Sequence, residues 1–288
     1  MRTCYSPAYF ANTPTASMVK LPIVAKAVVE AGLATLIKPE PLDINKLKRL
    51  HDPAYVDAFV SGEGMLASSQ GWSWTEQIRD GVLAIHGGQL LAAQYALDDG
   101  IAANIAQGFH HAKYRSGSGF CTFNGLALVA QEFPNKKIFV LDCDEHCGDG
   151  TAEFAGKMNN LYNYSICGTD WSRGSSTNSI IDRVRLKCTD FSPYQTALTR
   201  GFNSILAYKP DLIIYQAGAD PHIEDPLGTV GMTTDQMFMR DHIVFTFCKQ
   251  HKLPVLFVLA GGYQTPIEDT LLTLHVNTFK AAQQVFGP

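Results

Sequence analysis

An excess of positive charge is missing from this chain. Lysine and arginine total 23 against 27 aspartates and glutamates, a net charge of −4. The electrostatic footprint of a nucleic-acid binder is therefore lacking, and a polyanionic partner would need a local patch. No apolar run approaches the roughly 18 residues of a membrane span, and Met1 to Pro7 holds no signal-peptide h-region. The expectation is a soluble, cytoplasmic protein with no membrane partner. The seven cysteines (Cys4, Cys121, Cys143, Cys147, Cys167, Cys188, Cys248) are odd in number, scattered and without a C-x-x-C pair, which points to reduced thiols. What is present is apolar content, 46% of 288 residues, enough for a large core in a single domain spanning 1–288.

One stretch organises the rest. Ile138 to Leu141 is a short apolar run bounded by Asn135-Lys136-Lys137 and by Gly148 and Gly150, the pattern of a strand buried on both faces. Where it stops, Asp142, Asp144, Glu145, His146 and Asp149 follow. Asp144 and His146 are two apart, so in extended chain both point to one side and could share a cation. Oxygen plus imidazole suits Zn²⁺ or Fe²⁺ better than Ca²⁺ or Mg²⁺. Read alone, the segment is equally a helix N-terminus that collects acidic residues.

The remaining chain alternates strands and helices. Ser17 is the expected cap of a helix to about Gly32, Asp43 of one through Leu50, and Asp52-Pro53 restarts helix toward Phe59. Gly62 to Trp74 reads as a loop, and Thr75 to Leu97 as a helix in which Gly87-Gly88 marks close packing. Strands are expected at Ile101 to Ile105, Leu161 to Ile166, Leu212 to Tyr215 and Val255 to Leu259. Helices are expected from Gly125 to Phe133, from about Gly150 to Met158, from Ser192-Pro193 toward Tyr208, and from Thr234 to Gln250. Thr265-Pro266-Ile267-Glu268 fits a capping box opening a last helix, and Thr169 to Asn178 reads as a surface loop. The fold class is α/β, a central mainly parallel sheet with helices on both faces.

Four strands thus deliver polar groups at the same end: His110 and His111, then Asp142 to Asp149, then Asp220, then Tyr263. Packing alone does not explain convergence on one rim, where ligands sit in parallel sheets. Asp144, His146 and Asp220 would give a cation three protein ligands and leave a position for water, the arrangement of a catalytic site. Cys143 and Cys147 are alternative ligands, but read better as small packed residues.

In this order the motifs Gly108-Phe109-His110-His111-Ala112, Gly119-Phe120-Cys121, Asp142-Cys143-Asp144-Glu145-His146, Gly218-Ala219-Asp220 and Gly261-Gly262-Tyr263 resemble the histone deacetylase family of the arginase/deacetylase fold. The resemblance is strongest from Ile101 to Tyr263, and in size is closest to small bacterial and class IV-type members. It implies hydrolysis of an N-acyl amide, acyl-lysine in a peptide or a small acylated amine, with Zn²⁺ or Fe²⁺ on Asp144, His146 and Asp220. It further implies His111 as general base oriented by Asp149, His110 paired with Asp142, and Tyr263 as oxyanion donor. Gly119, Phe120 and Leu227 would line the acyl slot, and a structural K⁺ would sit near Asp142 and Ser165.

Departures from the family pattern bear on substrate rather than chemistry. Cys147 and Cys167 stand where histidines are common, Thr169 to Asn178 offers no second channel phenylalanine, so that one wall of the slot is either missing or built by Trp171, and Gly62 to Trp74 carries no aspartate to anchor a peptide. Lys20 lies near where an arginine often lines the acetate-release cavity. A binuclear ureohydrolase is disfavoured because Gly148 occupies the place of its second-metal aspartate. A non-catalytic acyl-lysine binder is disfavoured because ligands, histidines and Tyr263 are all present, and Ser116-Gly117-Ser118-Gly119 makes no serine nucleophile elbow.

Overall fold

The apolar runs anticipated as strands are strands, and all lie in one sheet. The computed structural model describes residues 1–171, 176–186 and 190–287. In chain order the first half comprises β1 (Arg2–Cys4), α1 (Ala16–Glu30), β2 (Thr35–Ile37), α2 (Ile44–Leu50), α3 (Pro53–Ser61), α4 (Glu76–Asp99), β3 (Ile101–Asn104) and α5 (Gly125–Glu132). The second half comprises β4 (Ile138–Asp142), α6 (Asp149–Ala155), β5 (Leu161–Cys167), β6 (Ser179–Arg183), α7 (Ser192–Tyr208), β7 (Leu212–Gln216), α8 (Thr234–Gln250), β8 (Val255–Val258) and α9 (Thr270–Phe286).

The sheet order is β2-β1-β3-β8-β7-β4-β5-β6, and every pairing is parallel. All strands therefore end on the same rim. Every residue of β3, β4, β7 and β8 is buried, as a parallel sheet covered on both faces requires. Register sets the site: Asp142, the last residue of β4, lies between Ser165 of β5 and Gln216 of β7.

Three readings of the sequence need correction. β2 and β6 were not anticipated, because as edge strands they carry partly exposed, mixed residues rather than apolar runs. Helix α1 is capped by Thr15 rather than Ser17, which is buried against the Thr15 hydroxyl. The last helix starts at Thr270 with Asp269 at its cap, so Thr265 to Glu268 form a turn ahead of it and not a capping box. Gly87 and Gly88 do mark close packing: a side chain would strike the Glu40 carbonyl from one and the Tyr9 hydroxyl from the other. The expected Thr169 to Asn178 loop lies in part, at 172–175, outside the described residues. Among the described residues no helix is long and apolar enough to cross a membrane.

The loop after β3 is anchored by His51. Its ring is fully buried, accepts the Asn124 N–H at Nε2 (3.0 Å) and donates from Nδ1 to the Lys113 carbonyl (2.9 Å). Asn124 in turn caps α5 and donates to the His110 and Ala112 carbonyls. Burial pushes the His51 pKa down to about 3. The unfolded chain takes a proton near pH 6.5 and the folded chain resists it until about pH 3, so stability falls as pH drops through that window. This one group contributes at most about 1.4 kcal/mol per pH unit. The melting temperature of His51→Gln is expected to fall less steeply with acid than that of the parent chain. Equal slopes would show that His51 does not govern the acid limb.

Candidate metal centre

Three loops bring the central residues together. Asp144 and His146 lie just past β4, Asp220 just past β7, and Gly261 just past β8. Ligand atoms of Asp144, His146 and Asp220 all lie within 4.8 Å of one another, and all three residues are buried. The Nδ1 of His146 is 3.2 Å from Asp220 Oδ2 and 3.5 Å from Asp144 Oδ1. The backbone fixes the outer oxygens: Asp144 Oδ2 accepts the Gly261 N–H (2.8 Å) and Asp220 Oδ1 accepts the Glu145 N–H (3.0 Å). Glycine is required around them. A Cβ on Gly218 would lie 2.9 Å from Asp144 Oδ2, and one on Gly261 would strike Asp220 and Asp144.

Beside this triad stand two histidine–carboxylate pairs. His110 Nδ1 lies 2.7 Å from Asp142 Oδ2, and His111 Nδ1 lies 2.7 Å from Asp149 Oδ1. The two rings are 4.0 Å apart, and Lys113 Nζ holds the other Asp149 oxygen at 2.8 Å. Phe109 takes a left-handed backbone (φ 58°) ahead of them and stacks on His86.

The surroundings separate the two imidazoles. Burial works against a proton on His110, but Asp142 and Asp144 outweigh it and push its pKa up to about 9. Burial raises the Asp142 carboxyl as well, so the pair shares one proton, which the second carboxylate keeps on the ring. For His111, burial and the neighbouring His110 cation lower the pKa to about 4, against the pull of Asp149. Asp149 is itself held down to about 2 by His111 and Lys113, which outweigh its burial. One imidazole is thus charged near neutrality and the next is free to accept a proton.

In the triad, burial opposes charge on His146, yet Asp144 and Asp220 raise it to about 11. Burial and Asp144 push the Asp220 carboxyl up, while His110 and His146 outweigh burial to depress Asp144. Two buried carboxylates with oxygens within 4.8 Å of each other favour holding a proton.

Above the triad the space is narrow, about 20 Å³, room for about one water. Phe120, at φ 64°, stacks on Trp72 and has its ring 6.0 Å from that of Tyr263. Trp171 lies over the other side, 4.7 Å from the His111 ring and 4.9 Å from that of His146. Gly119 lines the same space, whereas Leu227, 44% exposed, is not among its lining residues. Burial, Asp220 and Asp144 raise the Tyr263 hydroxyl well above its ordinary value, so it remains a phenol.

The structure adds features that the sequence did not announce. Asp225 accepts the Tyr263 N–H at 2.8 Å and the Leu227 N–H at 2.9 Å, and so ties the loop after β7 to the loop after β8. Lys20 is fully buried and donates to the carbonyls of Ala260 (2.8 Å) and Gly261 (3.1 Å). The expectation of reduced thiols fails at one pair, since Cys147 and Cys167 form a disulfide. The Cys147 N–H donates to the Thr169 carbonyl, and this pairing of the loops after β4 and β5 brings the two Cα atoms to 5.4 Å. Cys4, Cys121, Cys143 and Cys248 are free and buried. Ser165 Oγ, expected near a K⁺, accepts the Gly148 N–H and an Asn163 amide.

Comparison with known proteins places this geometry. A histone deacetylase domain model matches residues 15–279. An uncharacterised protein of Picosynechococcus sp. is 30% identical over 296 residues, covering 98% of each chain. Histone deacetylase 2 of Arabidopsis thaliana is 30% identical over 187 residues, covering 62% of this chain and 48% of the plant protein. Among solved structures, an acetylpolyamine aminohydrolase from Burkholderia pseudomallei superposes with a TM-score of 0.83 over 99% of both chains at 19% identity.

Proposed function

The chain belongs to the histone deacetylase family, and from that membership we propose that residues 1–288 form one metal-dependent amidohydrolase domain that removes acyl groups from N-acyl-lysine. The observation that carries the reading is the buried meeting of Asp144, His146 and Asp220 with a neutral His111 on one side and the Tyr263 phenol on the other. Two oxygens and one imidazole suit Zn²⁺, with Fe²⁺ the other candidate. The donor set fits such an ion, because it would neutralise two carboxylates that otherwise repel each other out of water. When bound there, a divalent cation supplies Lewis acidity toward the amide carbonyl and lowers the pKa of water.

The chain's own groups divide the remaining work. His111, uncharged and oriented through Nδ1 by Asp149, would accept the proton of the attacking water and return it to the leaving lysine amine. His110, charged against Asp142, would add positive potential beside the reacting carbonyl. Tyr263 would donate to the developing oxyanion, a contribution of about 3 kcal/mol. Gly119 and Phe120 would grip the acyl-lysine stem against Trp171; Leu227 stays on the rim, a contact for the peptide outside the slot.

The test is a lysine-peptide panel from acetyl to long fatty acyl, assayed with Zn²⁺-loaded protein. Turnover is expected, and Tyr263→Phe is expected to lose about 10²-fold or more in kcat with KM little changed. No turnover at any acyl length would overturn the reading. A second reading, a small acylated polyamine, is favoured by Glu224 and Asp269, whose carboxylates line a cleft beside the Tyr263 loop and suit a further ammonium. Including an acetylpolyamine in the panel separates the two by kcat/KM. A reducing cytoplasm no longer draws support from the cysteines, given the Cys147–Cys167 bond.

A further inference from the structure

We propose that Arg240 is a positioning residue that clamps together the two loops carrying Asp144 and Asp220 and thereby sets the affinity of the site for its cation; the inference rests on the metal reading above. β4 and β7 pair as far as Asp142 opposite Gln216, and a last rung runs from the Cys143 N–H to the Gln216 carbonyl at 3.0 Å. Past that rung the two chains leave the ladder, one toward Asp144 and the other toward Asp220. Among the described residues, the carbonyls of Cys143 and Gly218 find no backbone donor there. Buried carbonyls need one.

Arg240, on α8 and far from both loops in sequence, supplies it. Its side chain is fully buried, and one nitrogen, Nη1, donates to the Gly218 carbonyl at 2.8 Å and to the Cys143 carbonyl at 3.1 Å. The opposite edge of the guanidinium, Nε and Nη2, rests on Asp241 Oδ1 at 2.8 Å from each. Asp241 is steadied by the Tyr215 hydroxyl from β7 and by Thr278 Oγ1 from α9 at 2.6 Å.

Each carbonyl is close to a ligand. That of Cys143 shares a peptide plane with the Asp144 N–H, which donates to Asp142 Oδ1 at 3.2 Å. That of Gly218 shares one with the Ala219 N–H, which donates to the Gly261 carbonyl at 3.0 Å. Fixing the two planes fixes where the Asp144 chain begins and, one residue later, where the Asp220 chain begins. The loops also touch, since a Cβ on Gly218 would lie 2.7 Å from Asp144 Cα, so they hold one spacing or the ligand atoms separate. A buried guanidinium is a costly way to fill space, and an apolar side chain of similar volume would pack without the desolvation. The planar fork explains the choice, because a carboxylate on one edge and two carbonyls on the other is a geometry that a lysine ammonium does not reproduce.

The experiment compares Arg240→Lys, which keeps the charge but not the fork, with the pair Arg240→Met and Asp241→Asn, which removes both buried charges at once. Tyr215→Phe serves as a control that loosens Asp241 without touching either carbonyl. Zn²⁺ affinity is measured by chelator competition, folding by circular dichroism, and ligand geometry by the visible absorption of the Co²⁺-loaded protein. Both Arg240 variants are expected to fold and to bind Zn²⁺ about 10- to 100-fold more weakly, with altered Co²⁺ bands. Tyr215→Phe is expected to melt earlier and to bind as the parent does. Unchanged affinity in either folded Arg240 variant would overturn the proposal, as would equal weakening in Tyr215→Phe. A parent chain that binds neither ion would instead overturn the metal reading itself.

Discussion

Asp220→Asn is expected to abolish turnover, with Zn²⁺ affinity reduced by at least about 10³-fold. The amide keeps the acceptor that takes the Glu145 N–H at 3.0 Å, so the loop after β7 retains its shape while the anionic ligand is lost. In the metal-free variant His146 loses its carboxylate partner at 3.2 Å, so its pKa is expected to fall. The same electrostatics predict a pH dependence. His146, raised to about 11, and Asp220, raised by burial and Asp144, hold protons that a cation must displace. Binding therefore releases about one to two protons near neutrality, and affinity rises with pH, about tenfold per unit for each proton displaced. Calorimetric titration with Zn²⁺ in buffers of different ionisation enthalpy measures that number directly. A release of zero would mean that the triad does not receive the ion.

His111→Ala should show the opposite division, with Zn²⁺ affinity within a few-fold of the parent and kcat down about 10³-fold. Its ring is lowered to about 4 by burial and by the neighbouring His110 cation, so it is uncharged through pH 6.5, where a free imidazole would be half protonated. The acid limb of kcat/KM is expected to remain flat through pH 6.5 and to fall only nearer 4. Asp149→Asn removes the carboxylate, 2.7 Å from Nδ1, that draws this pKa upward, and should move the limb lower still while reducing kcat. An acid limb centred at or above 6.5 in the parent would assign the proton transfer to another group.

Much of this architecture was legible because buried parallel strands are written as apolar runs. Ile138 to Leu141, Leu212 to Tyr215 and Val255 to Leu259 each announce a strand, and the polar residues that follow each one announce the rim. Edge strands lack that signature. β2 is three partly exposed residues and β6 carries Asp182 and Arg183, so neither stands out from loop. The Thr265 to Glu268 capping box is a local pattern that the chain overrides, starting the helix at Thr270 instead.

What escaped the sequence at the site was mostly contributed from afar. Arg240 reaches Cys143 and Gly218 from the middle of a helix and sits in no motif; Lys20 was singled out, but not its reach from another helix to the Ala260 and Gly261 carbonyls. The Cys147–Cys167 bond has a separation of 20 residues and no signature spacing; only the side-by-side packing of two strand-end loops reveals it. Trp171 was legible as a candidate wall, but its seat over both His111 and His146 depends on loop course.

The bonds that assemble the rim join parts of the chain made far apart. Gly261 meets Asp144 across 117 residues, and Lys20 meets Ala260 across 240. Strand β8, the last in chain order, must slot between β3 and β7 before either bond can exist. The chemistry is spread over residues 110–263 and its rim is tied down from Lys20. A chain emerging from the ribosome carries Asp144 and His146 through much of the second half of its synthesis before Asp220, β8 and Gly261 complete the site, and contacts of such long range favour slow folding. Activity should consequently return late during refolding, after the secondary structure has formed and together with the final burial of the sheet's centre.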